Sequence, residues 1–266
     1  MEVVHLTDPL KLACGYSLAE HVLCVETYGQ LNRSKSNAVL ICHALTGSHH
    51  AAGWHVGDKK PGWWDDVIGP GKSIDTDQFF VVSPSNIGTC HGSTGPLSIN
   101  PKTNSTWGPN FPKLQISDWT ASQRMLMDHY KIKCWAAVVG GSLGGMQAMH
   151  WSVTYPDRLL SAVVIASAMK LSAQNIAFNE IARRAIKEDT DFHGGRYQEK
   201  NKKHDTSSTL RYAFSLGLSL PNFKDGVKHL DKMYGKSSYS PVFKMMYFFD
   251  YGIVSLAPGF SISWYG

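Results

Sequence analysis

The chain has 266 residues, 43% of them hydrophobic and 18% charged, and carries a net charge of +5. That length buries a full core, in one large α/β domain or two small ones, and the composition excludes intrinsic disorder. The basic residues are dispersed, with only KNKK at 200–203 clustered, so no nucleic-acid-binding stripe is expected.

No run reaches the apolar length that spans a bilayer, and the N-terminus MEVVHLTDPL lacks the basic-then-apolar layout of a secretory signal. Five cysteines, at 14, 24, 42, 90 and 134, form no C-x-x-C, and several sit in apolar runs as small buried hydrophobes do. A cytoplasmic protein with neither a membrane nor a nucleic-acid partner is the expectation.

Residues 12–29 predict two short strands broken by polar residues, forming an antiparallel edge. Residues 37–42 (NAVLIC) predict the first buried strand, which runs directly into HALTGSHHAAG. A loop rich in Trp, Gly, Pro and Asp spans 53–77, and a buried strand at 79–82 leads into a second long loop, SPSNIGTCHGSTGPLSINPKT. Loops of this length inside a domain are functional or disordered, and their aromatic and small residues favour function.

Ser117 and Asp118 predict the cap of a helix over 119–131, with Trp119, Leu126 and Tyr130 on one face at spacings of seven and four. Residues 134–139 form a continuous apolar run, the pattern of a strand buried on both faces. GGSLGG at 140–145 follows, and then the helix-compatible segment MQAMHWSVTYPDR.

Residues 159–166 predict a further buried strand. Ser172 then predicts the cap of an amphipathic helix whose apolar stripe is Phe178, Ile181, Ala182, Ala185 and Ile186. Strands alternating with helices imply a mostly parallel sheet with right-handed crossovers, in the order of the first two-thirds of an α/β-hydrolase. Past about residue 190 the pattern loses its period, which divides the chain into an α/β-hydrolase core at 1–190 and a divergent tail, where a lid would lie, at 191–266.

Residues 140–144 fit G-x-S-x-G in a strand–turn–helix setting, which reads as the elbow that lifts a nucleophilic serine, Ser142, to the mouth of the sheet. The same five residues also read as an ordinary tight turn. An oxyanion needs two donors. In such a fold they are the N–H of the residue after the serine, Leu143, and an N–H from the loop after the earlier strand, here Leu45 in 43–47.

Four histidines, His43, His49, His50 and His55, crowd the segment after that strand. Their spacing matches no standard zinc pattern and no cysteine or carboxylate completes them, so they read as the lining of a polar pocket mouth, with no metal expected. Trp63, Trp64 and Trp107 read equally as pocket walls or as packing for the long loops. A triad also needs an Asp or Glu and then a His downstream of the serine. Several aspartates from Asp157 to Asp250, and His150, His193, His204 and His229, are available, but none ends a convincing late strand. The sequence shows no base.

The segments NAVLICHALTGSHHAAG, KPGWWDDVIGPGKSIDTDQFFVVSPSNIGTCHGSTGPLSINPKT, WAAVVGGSLGGMQAMHWSVTYPDR and KLSAQNIAFNEIARRAI together resemble the homoserine O-acyltransferases of methionine biosynthesis, an α/β-hydrolase-fold family. The resemblance implies Ser142 as the residue that accepts the acyl group, and Leu45 and Leu143 as the oxyanion donors. It implies acyl-CoA as co-substrate with no bound cofactor, L-homoserine as acceptor, and a homodimer.

The His-rich loop, KPGWWD and FHGGRYQE (192–199) are most similar to the succinyl-transferring branch; the acetyl-transferring branch shares nearly everything else. Where the family carries a substrate-contacting arginine this chain has Phe214, with Arg211 displaced nearby as the substrate-binding candidate. The family's late-strand Asp and Gly-His-Asp find no counterpart in 200–266, so the expected fold lacks the last strands and helices. An inactive remnant, a serine esterase of the same fold and a metal-binding His-cluster protein are the alternatives.

Overall fold

The structure, a computed structural model, describes residues 1–171, 173–188 and 190–196. Six strands form its main sheet: β1 (Glu2–Leu6), β2 (His21–Tyr28), β3 (Ala38–Cys42), β4 (Phe80–Pro84), β5 (Ala137–Gly141) and β6 (Ala162–Ile165). Their spatial order is β1-β2-β4-β3-β5-β6. β1 pairs antiparallel with β2 and β2 with β4, while β4–β3, β3–β5 and β5–β6 are parallel. The α/β-hydrolase architecture expected from the element order is therefore present, with an antiparallel edge grafted onto a parallel centre.

The centre is built from runs apolar on both faces. All five residues of β3 are buried, and alternate side chains serve opposite layers. Leu40 and Cys42, with Val82 and Val138, face helices α1 (Ile116–His129) and α2 (Leu143–Thr154), which contribute Leu126, Met127, Ala148 and Trp151. Val39 and Ile41, with Val81 and Val139, face the 51–74 loop through Ala51, Ala52, Ile68, Trp63 and Trp64. Each large apolar side chain buried this way contributes about 1.5–3 kcal/mol.

Several local expectations are corrected. β1 is an additional strand, whose short alternation, polar on one side, carries little signal in the sequence. Within 12–29, Ser17–Leu18 pairs with Leu10–Lys11 in a small ribbon, while residues 21–28 form one interior strand; β1 is the edge. Helix α1 starts earlier than predicted. Gln115 is its N-cap, and Asp118 sits at the third helical position, its carboxylate accepting the Gln115 N–H at 2.7 Å.

The strand predicted at 134–139 lies at 137–141, since the sheet register continues into the glycines. β6 is not the buried strand its composition implies. Val163 and Val164 are 42% and 39% exposed because, among the described residues, β6 is the outer strand and nothing packs beyond it.

The chain divides into two compact units, Met1–Met169 and Lys170–Tyr265. In the second, the described elements are α3 (Ala173–Glu188) and a 3₁₀ turn at Thr190–Gly195. Ser172, the stripe side chains at Phe178, Ile181, Ala182, Ala185 and Ile186, and Arg211 lie outside the described residues and side chains. Among the described residues no helix is long and apolar enough to cross a membrane.

Candidate active site

The elbow's shape follows from its glycines. A Cβ on Gly140 would meet the Gly144 carbonyl carbon and oxygen at 2.2 Å, so strand and helix approach more closely than any side chain permits. The chain turns between them at Ser142, with φ 53° and ψ −118°. A non-glycine residue held there stores on the order of 1–3 kcal/mol of strain, which persists only where its surroundings over-determine it.

Those surroundings are visible. The Ser142 N–H donates to Ile165 O at 2.9 Å, and its carbonyl accepts from Ser167 Oγ at 2.7 Å and the Met146 N–H at 3.2 Å. Trp64 approaches the turn, its Cζ2 3.8 Å from where a Gly141 Cβ would stand. Of the three tryptophans singled out, Trp64 thus flanks the elbow. Trp63 donates to Ser48 O, and Trp107 packs edge-on against Tyr16 and Phe111.

The loop after β3 is brought against the start of α2. A Cβ on Gly144 would fall 1.9 Å from Cys42 O and 3.2 Å from the His43 carbonyl carbon. Leu143 opens α2, so its N–H belongs to the unpaired first turn, whose dipole favours negative charge. In the 43–47 loop the Gly47 N–H closes a turn on Ala44 O, and the Leu45 side chain is 53% exposed. The two predicted oxyanion donors therefore come from segments in direct contact.

Beneath them lies a buried polar network that the sequence reading missed. The Asn86 N–H donates to His43 Nε2 at 3.0 Å, which fixes the tautomer: Nδ1–H donates to Ala44 O at 2.7 Å. Gln147 Nε2 donates to Leu143 O and His43 O, at 3.2 and 3.3 Å. Gln123 Nε2 donates to Asn86 Oδ1 and Gln147 Oε1, and Gln123 Oε1 accepts from the Trp151 indole. These bonds tie the 43–47 loop to the start of α2, although the buried Asn86 Nδ2 has no hydrogen-bond partner among the described residues. Gln123 and Gln147 stand at i−3 from Leu126 and i−4 from Trp151, on the buried helix faces. A glutamine on an apolar face was the available signal.

Burial lowers the His43 pKa to about 4, with His91 and His49 adding to the effect against the Ala44 hydrogen bond, and burial alone lowers His21 to about 4. Between these values and the ordinary 6.5, an unfolded chain binds protons that the native chain does not. Stability is therefore fully supported above pH 6.5 and falls as pH drops towards 4, by up to about 3 kcal/mol per group. Urea midpoints should fall between pH 7 and pH 4.5. His21→Leu should flatten that slope, and an unchanged slope would remove His21 from the account.

The remaining histidines gather on a carboxylate that the sequence kept distant. Glu26, on β2 and 5% exposed, lies 3.0 Å from His50 Nδ1, 2.8 Å from His55 Nε2 and 3.7 Å from His49 Nε2. The expectation that no carboxylate completes this cluster is corrected, because strand pairing brings Glu26 across from β2. Burial alone would raise the Glu26 pKa. Hydrogen bonds from Tyr28 and His50 and the fields of His50 and His55 outweigh it and hold the carboxyl low.

Among the described residues, no imidazole hydrogen-bonds the Ser142 hydroxyl. His150 bonds Thr120, and His43 is committed to Ala44 and Asn86. His204 and His229 lie outside the described residues, as does the side chain of His193.

Sheet order, elbow and sequence together define the class: the chain belongs to the α/β-hydrolase family, described as the alpha/beta hydrolase fold, whose family profile matches residues 37–230. More particularly, it is 64% identical over 201 residues to the homoserine O-succinyltransferase of Cellvibrio japonicus (strain Ueda107), covering 75% of this chain and 53% of that protein. The homoserine O-succinyltransferase of Marinobacter nauticus is 62% identical over the same extent.

The chain thus spans about half the length of the curated relatives it matches. Among solved structures, homoserine O-acetyltransferase from Bacillus anthracis superposes with TM-score 0.72 at 31% identity, covering 92% of this chain and 66% of that one. Esterase E22 (L374D mutant) superposes with TM-score 0.71 at 30% identity, covering 91% and 67%.

Proposed function

We propose that the chain transfers a succinyl group from succinyl-CoA to the hydroxyl of L-homoserine through a seryl acyl-enzyme on Ser142. The observation that carries this reading is the 64% identity to a homoserine O-succinyltransferase over 201 residues. The strained elbow and the adjoining 43–47 loop support it.

In this reading Ser142 Oγ attacks the thioester carbonyl, and the N–H groups of Leu143 and Leu45 hold the oxyanion that forms. CoA leaves, and the homoserine hydroxyl attacks the acyl-enzyme. The reading also requires a base to take the serine proton, and among the described residues His43 and His150 are committed to other partners. Succinyl-CoA is a co-substrate and no bound cofactor is required; assembly as a homodimer belongs to the same reading.

Release of CoA from succinyl-CoA that depends on homoserine, and exceeds release from acetyl-CoA, is the expected result. Transfer from neither donor would overturn the proposal. The likeness to esterase E22 favours a second reading, a serine esterase of the same fold. Turnover of a p-nitrophenyl ester without CoA or homoserine distinguishes it.

A further inference from the structure

We propose that Glu26, His50 and His55 form a site for a divalent first-row transition-metal ion of the zinc class. One donor atom from each of the three lies within 4.8 Å of the other two. Two imidazole nitrogens and a carboxylate oxygen are a donor set that zinc accepts, and a tetrahedral ion with bonds of 2.0–2.1 Å separates neighbouring donors by roughly 3.3 Å. His50 Nδ1 stands 3.0 Å from Glu26 Oε2 and His55 Nε2 2.8 Å from Glu26 Oε1, so the carboxylate already lies against both imidazoles and a small rotation would turn one oxygen to an ion between them.

With neutral imidazoles, hydrogen bonding alone leaves this cluster unsatisfied. His50 lies between two carboxylates, with Nδ1 towards Glu26 and Nε2 3.3 Å from Asp58 Oδ2. A neutral imidazole has one N–H and serves only one of them. The buried His50 Nε2 has no hydrogen-bond partner. Neither does the buried Glu26 Oε1, although His55 Nε2 is 2.8 Å away: the approach is close but not directed as a hydrogen bond.

An ion bound by Nδ1 resolves both. His50 then carries its proton on Nε2, facing Asp58, in the carboxylate–histidine–metal arrangement that orients ligating imidazoles. Glu26 Oε2 is already positioned by the Tyr28 hydroxyl at 2.6 Å, itself pinned by the Ala51 and Ala52 N–H groups at 3.0 Å. A cavity of about 420 Å³, lined in part by Glu26, Tyr28 and His55, gives the ion a way in. Bound there, it would tie the 50–55 loop to β2.

The test uses the full chain, stripped with a chelator and dialysed against Zn²⁺, with Co²⁺ as a spectroscopic probe. The expected result is one equivalent of zinc per chain and intense visible absorption from tetrahedral cobalt. His55→Ala and Glu26→Gln should weaken binding by more than about 100-fold, beyond the 10- to 100-fold usual when only a supporting hydrogen bond is lost. His55 is exposed enough for its variant to fold, and His129→Ala, on an exposed histidine elsewhere, should bind as the parent does. Zinc should raise the melting temperature of the parent and not that of His55→Ala. Absence of stoichiometric binding, or binding unchanged in His55→Ala, would overturn the site and leave a hydrogen-bonded cluster only. Neither outcome depends on acyl transfer.

Discussion

If the chain acts as proposed, Ser142→Ala should leave the fold intact while reducing acyl transfer to the uncatalysed background. The structural half of this expectation rests on what Ser142 holds. Its N–H and carbonyl bonds to Ile165, Ser167 and Met146 are backbone groups that alanine keeps. Its hydroxyl bonds no side chain among the described residues, so stability should shift by no more than about 0.5 kcal/mol.

The functional half rests on covalency: without Oγ there is no acyl-enzyme, and neighbouring donors cannot substitute for a missing bond. Fluorophosphonate labelling followed by mass spectrometry, with CoA release measured on the same preparations, checks both halves. Transfer retained in Ser142→Ala would move the nucleophile elsewhere. Equal melting of parent and variant would show that the Ser142 hydroxyl is not needed for the fold.

The sequence showed most clearly what local pattern determines. Residues 37–42 and 79–82 read as buried strands because they are apolar on both faces, and the elbow read as an elbow because glycine, serine and glycine stood between a strand and a helix. β6 looked equally buried, yet burial depends on what packs beyond a strand, which its own residues do not encode.

The site's less visible parts are tertiary. Glu26 meets His50 from 24 positions away, because β2 lies antiparallel beside β4 and the loop after β3 returns across it. The Asn86–Gln123–Gln147 network joins three separate segments. Each member alone is an unremarked amide, and only the polar intrusion into an apolar helix face hinted at it. No triad base or carboxylate is legible in the sequence, and among the described residues His43 and His150 are held by other partners.

Gly144→Ala should be strongly damaging, costing about 3 kcal/mol or more and lowering the melting temperature by roughly 6–12 °C. The added Cβ would stand 1.9 Å from Cys42 O and 2.8 Å from its carbonyl carbon. These are backbone atoms at the end of β3, fixed by parallel pairing to β4 and β5, and no rotamer relieves the contact. Helix α2 must retreat by more than an ångström. It would draw the Leu143 N–H away from the 43–47 loop and break the Gln147 bridge to His43 O, so activity should fall further than stability alone explains.

Gly141→Ala is the matched control. Its Cβ would find only Trp64 Cζ2 at 3.8 Å and Ile165 O at 3.9 Å, ordinary contacts that should cost under about 1 kcal/mol. Both glycines flank Ser142, and only Gly144 is required by the close approach of helix to strand. Thermal melts of the two variants side by side measure that difference. Equal melting would mean that α2 and β3 are not packed as closely as the elbow demands.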